Sequence, residues 1–154
     1  MPKIDLKAAP VRVGSGYPPP YDAAVAARRR QRLGDAAGLD GFGVNLLTLA
    51  PGVWSSQRHW HSHEDEFIYV LEGEVVLVTD AGEEPLVAGD CAGFKAGVGD
   101  GHHLINRTDH EAKVLEVGLR LPAVDRTVYS DIDMVAEPDE EHFRRRDGSL
   151  FPPY

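Results

Sequence analysis

Cys91 is the only cysteine among 154 residues, which excludes an internal disulfide and a cysteine-based zinc cluster. Any metal must therefore be held by His, Asp or Glu. Long apolar runs are missing as well. None approaches the roughly 20 residues needed to cross a bilayer, and the opening Met1-Pro2-Lys3-Ile4-Asp5 has no signal-peptide hydrophobic region. These absences predict a soluble, cytoplasmic protein with no membrane partner. Basic residues are also short, 16 Lys and Arg against 25 Asp and Glu for a net charge of −9. That balance argues against a nucleic-acid partner, because phosphate binding needs a basic face that releases counterions. Arg28-Arg29-Arg30 with Arg32, and Arg144-Arg145-Arg146, are local exceptions. Each is read as a solvated face paired with nearby acids rather than as an anion site.

The length suits one domain that buries about two thirds of the surface its unfolded chain would expose. Residues 1–40 read as an N-terminal arm. Pro2, Pro10 and Pro18-Pro19-Pro20 keep its first half extended, and DAAVAARRRQR from Asp22 to Arg32 predicts a short helix with Asp22 as its cap. From residue 41 to 121 the character changes to FGVNLLTL, FIYVL, EVVLVT, EPLVA, CAGFKA, HHLIN and KVLEVGLRL, short segments rich in β-branched and aromatic residues. Turn signals such as Pro51-Gly52, Glu72-Gly73 and Gly89-Asp90 separate them at intervals of about 8 to 12 residues, the pattern of an all-β antiparallel sandwich or barrel. Residues 122–154 form a C-terminal extension with an acidic stretch, Glu137 to Glu141, and the final Phe151-Pro152-Pro153-Tyr154, whose aromatics predict packing on the barrel.

RHWHSHEDEFIYVLEG, residues 58–73, crowds titratable side chains against the start of a core strand. A helical reading would put His59 and His63 on one face. It fails because the zincin pattern His-Glu-x-x-His is not met, and because FIYVL is β-type and Glu72-Gly73 reads as a hairpin turn. Read as a strand, Gln57, His59 and His61 share one face, with Arg58 and Trp60 on the other. In the next segment Glu66 shares a face with Ile68 and Val70. In HHLIN, His102 shares one with Leu104 and Asn106, leaving His103 opposite. An ionised carboxylate and imidazoles facing an apolar interior are costly unless paired, hydrogen-bonded or bound to metal, and a metal satisfies all three.

The stretch Gly52 to Gly73 resembles the first motif of the cupin superfamily: a glycine, a spacer, His59-Trp60-His61, four residues, Glu66, six residues and Gly73. Gly89, Gly97, His102 and Asn106 resemble the second motif, and fifteen residues, Glu74 to Ala88, separate the two. Lys95 stands where that motif has proline, and Val98 to Gly101 make a longer gap before His102. The resemblance covers roughly residues 41–121. It implies a single-domain double-stranded β-helix, the jelly-roll barrel, and His59, His61, Glu66 and His102 as metal ligands, in agreement with strand parity.

Three imidazoles and one carboxylate suit one divalent Fe, Mn, Ni, Co or Zn per chain, with positions left open for a small-molecule ligand or substrate. The foremost reading is a metal-binding protein acting on an oxygen-rich small molecule by dioxygenase-like or Lewis-acid chemistry. The alternatives are a non-catalytic binding or sensing module and a sugar or sugar-phosphate isomerase or epimerase. Gln57 and Asn106 are the polar inward residues left for orienting substrate or bracing the site, and no general base stands out. Trp54 and Trp60 are assigned to sheet packing or a subunit contact, Cys91 to an inert small residue, and His63 to an exposed turn. The proline-rich arm predicts a homodimer.

Overall fold

Residues 3–152 are described by a computed structural model. The seven segments expected between residues 41 and 121 all form strands: β3 (Phe42–Leu49), β5 (Glu66–Glu72), β6 (Glu74–Thr79), β7 (Gly82–Val87), β8 (Cys91–Phe94), β9 (His103–Ile105) and β10 (Ala112–Leu119). Short β4 (His59–His61) precedes β5. β1 (Val11–Val13), β2 (Arg29–Arg32), β11 (Thr127–Tyr129) and β12 (Val135–Ala136) come from the flanking segments, and α1 (Leu33–Ala36) is a single turn.

One antiparallel sheet runs β1-β2-β3-β10-β5-β8; two three-stranded sheets, β7-β6-β9 and β12-β11-β4, complete the architecture. Isolated bridges, His59 to His102 and Trp54 to Ile105, tie the segment around β4 to that around β9. Leu47, Leu49, Ile68, Val70, Ala112 and Val114 from the larger sheet pack against Val75, Leu77, Leu86 and Leu104 in one core, giving the jelly-roll layering that the resemblance implies. Alternation is clean in β5, where Ile68 and Val70 are buried while Phe67, Tyr69 and Leu71 are exposed. Gly73 closes the β5–β6 turn at φ 76°, and a Cβ there would stand 2.9 Å from the Glu111 carbonyl oxygen, so both conformation and space demand glycine.

The helix expected over Asp22–Arg32 does not form. Only Ala23–Val25 make a turn of 3₁₀ helix, Asp22 makes no side-chain cap, and Arg29–Arg32 pair with both β1 and β3. An alanine-rich face offers a helix little to bury, whereas the strand gains two ladders of backbone hydrogen bonds and sends alternate arginines to opposite faces. Part of the arm is thus built into the main sheet. The C-terminal extension pairs through β11 with β4, and Tyr129, Met134, Phe143 and Phe151 join Tyr17, Val25 and Trp54 in a second apolar cluster. Tyr154 lies outside the described residues. No helix among the described residues is long and apolar enough to cross a membrane.

Candidate metal centre

β4, β5 and the residue before β9 bring four side chains together. Glu66 Oε2 lies 3.7 Å from His59 Nε2, 3.6 Å from His61 Nε2 and 2.8 Å from His102 Nε2. Donor atoms of His59, His61 and Glu66 all lie within 4.8 Å of one another. His102 turns toward Glu66, and its ring stacks on Phe94 with centroids 3.5 Å apart and planes 1° from parallel. His103 points the other way, its Nδ1 2.9 Å from the Ser56 carbonyl and its ring edge-on to Trp54. One strand cannot turn adjacent side chains to one face, so parity separates the two histidines.

The far side of two of the rings fixes their tautomers. His59 Nδ1 stands 2.9 Å from the Gln57 carbonyl oxygen, which can only accept, so Nδ1 carries the proton and Nε2 keeps its lone pair. His61 Nδ1 donates to Asp125 Oδ2 at 2.6 Å with the same result. His102 Nδ1 is buried without a partner among the described residues. The lone pairs of His59 and His61 and the Glu66 carboxylate already face one point, and His102 Nε2, which donates to Glu66, would join them on losing that proton; such a nitrogen and oxygen donor set fits a divalent transition metal.

Charge follows the same geometry. Burial opposes ionisation of Glu66, but its bond to His102 and the neighbouring imidazoles of His59 and His61 hold the carboxyl well below the usual carboxylate range. Burial drives His59 down to about 3. At His61 burial also disfavours the charged form, yet the Glu66 and Asp125 carboxylates outweigh it and raise the pKa.

The four groups open onto a cavity of about 560 Å³. Its wall includes residues the sequence reading did not single out, Tyr17, Asn45, Glu116, Arg120 and Tyr129, and three that it assigned to solvent, Arg28, Arg30 and Arg32. The arginine run is therefore not the solvated face expected of it. Arg28, Arg30 and Arg32 share one strand face and enter the cavity while Arg29 is exposed. Arg30 forms a two-pronged ion pair with Glu116, at 2.6 and 2.8 Å. Alternation in KVLEVGLRL already places Glu116 inward with Val114, so its position was legible. Asp125 and Tyr129 carried no such signal, because they reach the site only through the pairing of β11 with β4.

Gln57 does not present its side chain to the cavity: Nε2 donates to the Tyr21 carbonyl at 2.7 Å, and only its backbone oxygen serves the site. Asn106 is fully buried and braces the 106–110 turn, donating to the Leu49 and His110 carbonyls and accepting from Thr108. His63 and Cys91 are exposed, and Trp54 packs in the second apolar cluster.

Residues 45–118 match the family model for the cupin domain. The beta-alanine degradation protein BauB of Pseudomonas aeruginosa is 36% identical over 79 residues, 50% of this chain and 80% of that one. A crystal structure from Silicibacter pomeroyi, described as a sugar phosphate isomerase from a cupin superfamily, is 49% identical with a TM-score of 0.92, covering 98% of this chain and 97% of the other. A second, from Acidithiobacillus ferrooxidans and provisionally assigned as a sugar phosphate isomerase, is 27% identical with a TM-score of 0.72, covering 84% and 83%. With matching motifs, fold and near full-length likeness, the chain belongs to the cupin superfamily.

Proposed function

We propose that the protein is a metal-dependent enzyme that holds one divalent transition metal on His59, His61, Glu66 and His102 and acts on an oxygen-rich small molecule. The observation that carries this reading is the convergence of three imidazole Nε2 atoms on one carboxylate oxygen at the end of a cavity large enough for a small sugar. A metal bound there supplies Lewis acidity toward a substrate carbonyl or hydroxyl, or, as iron, dioxygen-dependent chemistry.

Among reactions, isomerisation of a sugar phosphate gains most. The Silicibacter pomeroyi relative is described as such an enzyme, and the cavity supplies two polar side chains beyond the four metal-binding candidates, the Glu116 carboxylate as an acceptor and the Tyr129 phenol as a donor. Glu116 is positioned by Arg30, and burial raises the Tyr129 phenol well above its usual value, so it stays protonated and can donate. A non-catalytic binding module remains the alternative. We also place the chain in the cytoplasm, in keeping with its single cysteine, and as a homodimer. The apolar side chains Val11, Val13, Phe67, Tyr69 and Leu71, exposed on the outer face of the six-stranded sheet, support a second copy there.

Elemental analysis of chelator-free protein is the direct test. Near-stoichiometric metal that disappears in His59→Ala and Glu66→Ala supports the site, whereas no metal after reconstitution with iron, manganese, nickel, cobalt and zinc removes it. Incubating the loaded protein with aldose and ketose phosphates in D₂O then separates catalysis from binding, since proton-transfer isomerisation washes deuterium into the sugar.

A further inference from the structure

We infer that the arginine-lined end of the cavity is a binding subsite for a doubly charged anion, the phosphate group of a small-molecule monoester. The inference rests on the reading of the cavity as a substrate site and names the class of group that enters it.

Strand alternation in β2 sets Arg30 and Arg32 about 6 to 7 Å apart along one wall, and Arg28, two residues before Arg30, lines it too. Arg120 joins them after β10: its Nε would lie 3.4 Å from a Cβ on Gly43, so the glycine leaves the space the guanidinium crosses. Two carboxylates answer these four guanidinium groups. Glu116 is taken by Arg30, and Asp35 is shared by Arg32, at 3.2 Å, and Arg120. Arg28 is 5% exposed, and its guanidinium bonds, among the described residues, only the backbone carbonyls of Gly14 and Ser55. Two of the four guanidinium groups thus have no carboxylate of their own in contact, and the cavity's other carboxylates, Glu64 and Glu66, stand against His61 and His102, in a partly desolvated space where an unanswered cation is costly.

Donors remain as well. Among the described residues, Arg30 Nη1, Arg32 Nε and Nη2, and Arg120 Nε make no hydrogen bond to protein. Planar guanidinium forks lining one space suit the oxygens of a phosphate, and a dianion answers two guanidinium groups that lack a carboxylate of their own where a monocarboxylate answers one. The register joins this end to the metal centre: Gly43, Gly118 and Glu66 lie in one row across β3, β10 and β5, with Arg120 over the first glycine and Glu66 beside the second. A substrate held by phosphate among the arginines therefore extends its hydroxyl end toward Glu66 within one small sugar's length.

The test is calorimetric titration of inorganic phosphate, malonate and acetate into the full chain, both metal-loaded and stripped with chelator. Phosphate binding that survives stripping, exceeds acetate binding, and weakens roughly tenfold in Arg32→Gln and in Arg120→Gln is the expected result. Asp35→Asn, which frees both arginines, should tighten phosphate severalfold while retaining metal, a gain that a misfolded variant cannot mimic. Phosphate binding that vanishes with the metal and ignores all three substitutions would place the anion on the metal and overturn the subsite. Tighter malonate than phosphate would overturn the monoester in favour of a dicarboxylate. A chain that takes up no metal but still binds phosphate at these arginines would sink the metal-enzyme reading alone.

Discussion

His61 Nδ1 and Asp125 Oδ2 lie 2.6 Å apart although 64 residues separate them in the chain. The same carboxylate accepts the backbone N–H groups of His63 and Glu64 through Oδ1, at 2.9 and 3.2 Å, and is 9% exposed. One side chain of the C-terminal extension thus sets the tautomer of a candidate ligand and holds the turn between β4 and β5. Carboxylate–histidine pairs behind a metal tune both ring orientation and ligand basicity.

Asp125→Asn should therefore lower metal affinity by about 10- to 100-fold with the fold intact. Chelator competition read by metal release, with circular dichroism as the control for folding, measures it. Unchanged affinity would assign Asp125 to the turn alone.

Gly118→Val should empty the site without unfolding the sheet. Gly118 has no left-handed backbone, so valine suits the strand, but a Cβ there stands 3.5 Å from Glu66 Cγ and its methyls take the space of the carboxylate. The expected result is a normal thermal transition with metal content near zero. Full metal occupancy would mean that Glu66 is dispensable.

Asn106→Ala is expected to cost about 3 kcal/mol of stability, since it strips hydrogen bonds from the buried Leu49 carbonyl and the Thr108 amide. Urea denaturation checks this. A loss of activity with unchanged stability would give Asn106 a role in the site instead of the turn.

The metal-stripped protein should lose stability as pH falls from about 6.5 toward 4.5. Burial lowers the folded pKa of His59 to about 3, so below the ordinary imidazole value near 6.5 the unfolded chain binds the proton that the folded chain refuses, and stability drops by up to about 1.4 kcal/mol per pH unit. His61 has the opposite sign. Its folded pKa is raised, so its contribution is complete below about 6.5 and is lost as pH rises above that. Below about 4.5 the depressed carboxyl of Glu66 adds a further loss. A thermal midpoint with a maximum near pH 6.5 is expected, its acid limb flattened in His59→Gln. A flat profile would remove His59 from the buried site.

Much of the barrel was legible because strand periodicity and turn chemistry act over a few residues. Each segment from FGVNLLTL to KVLEVGLRL carried its own alternation, and the parity of Glu66 with Ile68, and of His102 with Asn106, followed from the two-residue repeat. The arm misled for the same reason. DAAVAARRRQR has good local helix formers, and only the open edge of β3, distant in sequence, turned Arg29–Arg32 into a strand.

The sequence by itself therefore determined the all-β class, the positions of the central strands and the inward facing of His59, His61, Glu66 and His102, all consequences of local pattern. Tertiary structure alone decided that Asp125 stands behind His61, that Tyr129 faces the cavity from β11, and that Arg28, Arg30 and Arg32 line its wall. Those placements depend on which strand edges meet, and such pairings are set by burial of the whole core instead of by any window of sequence.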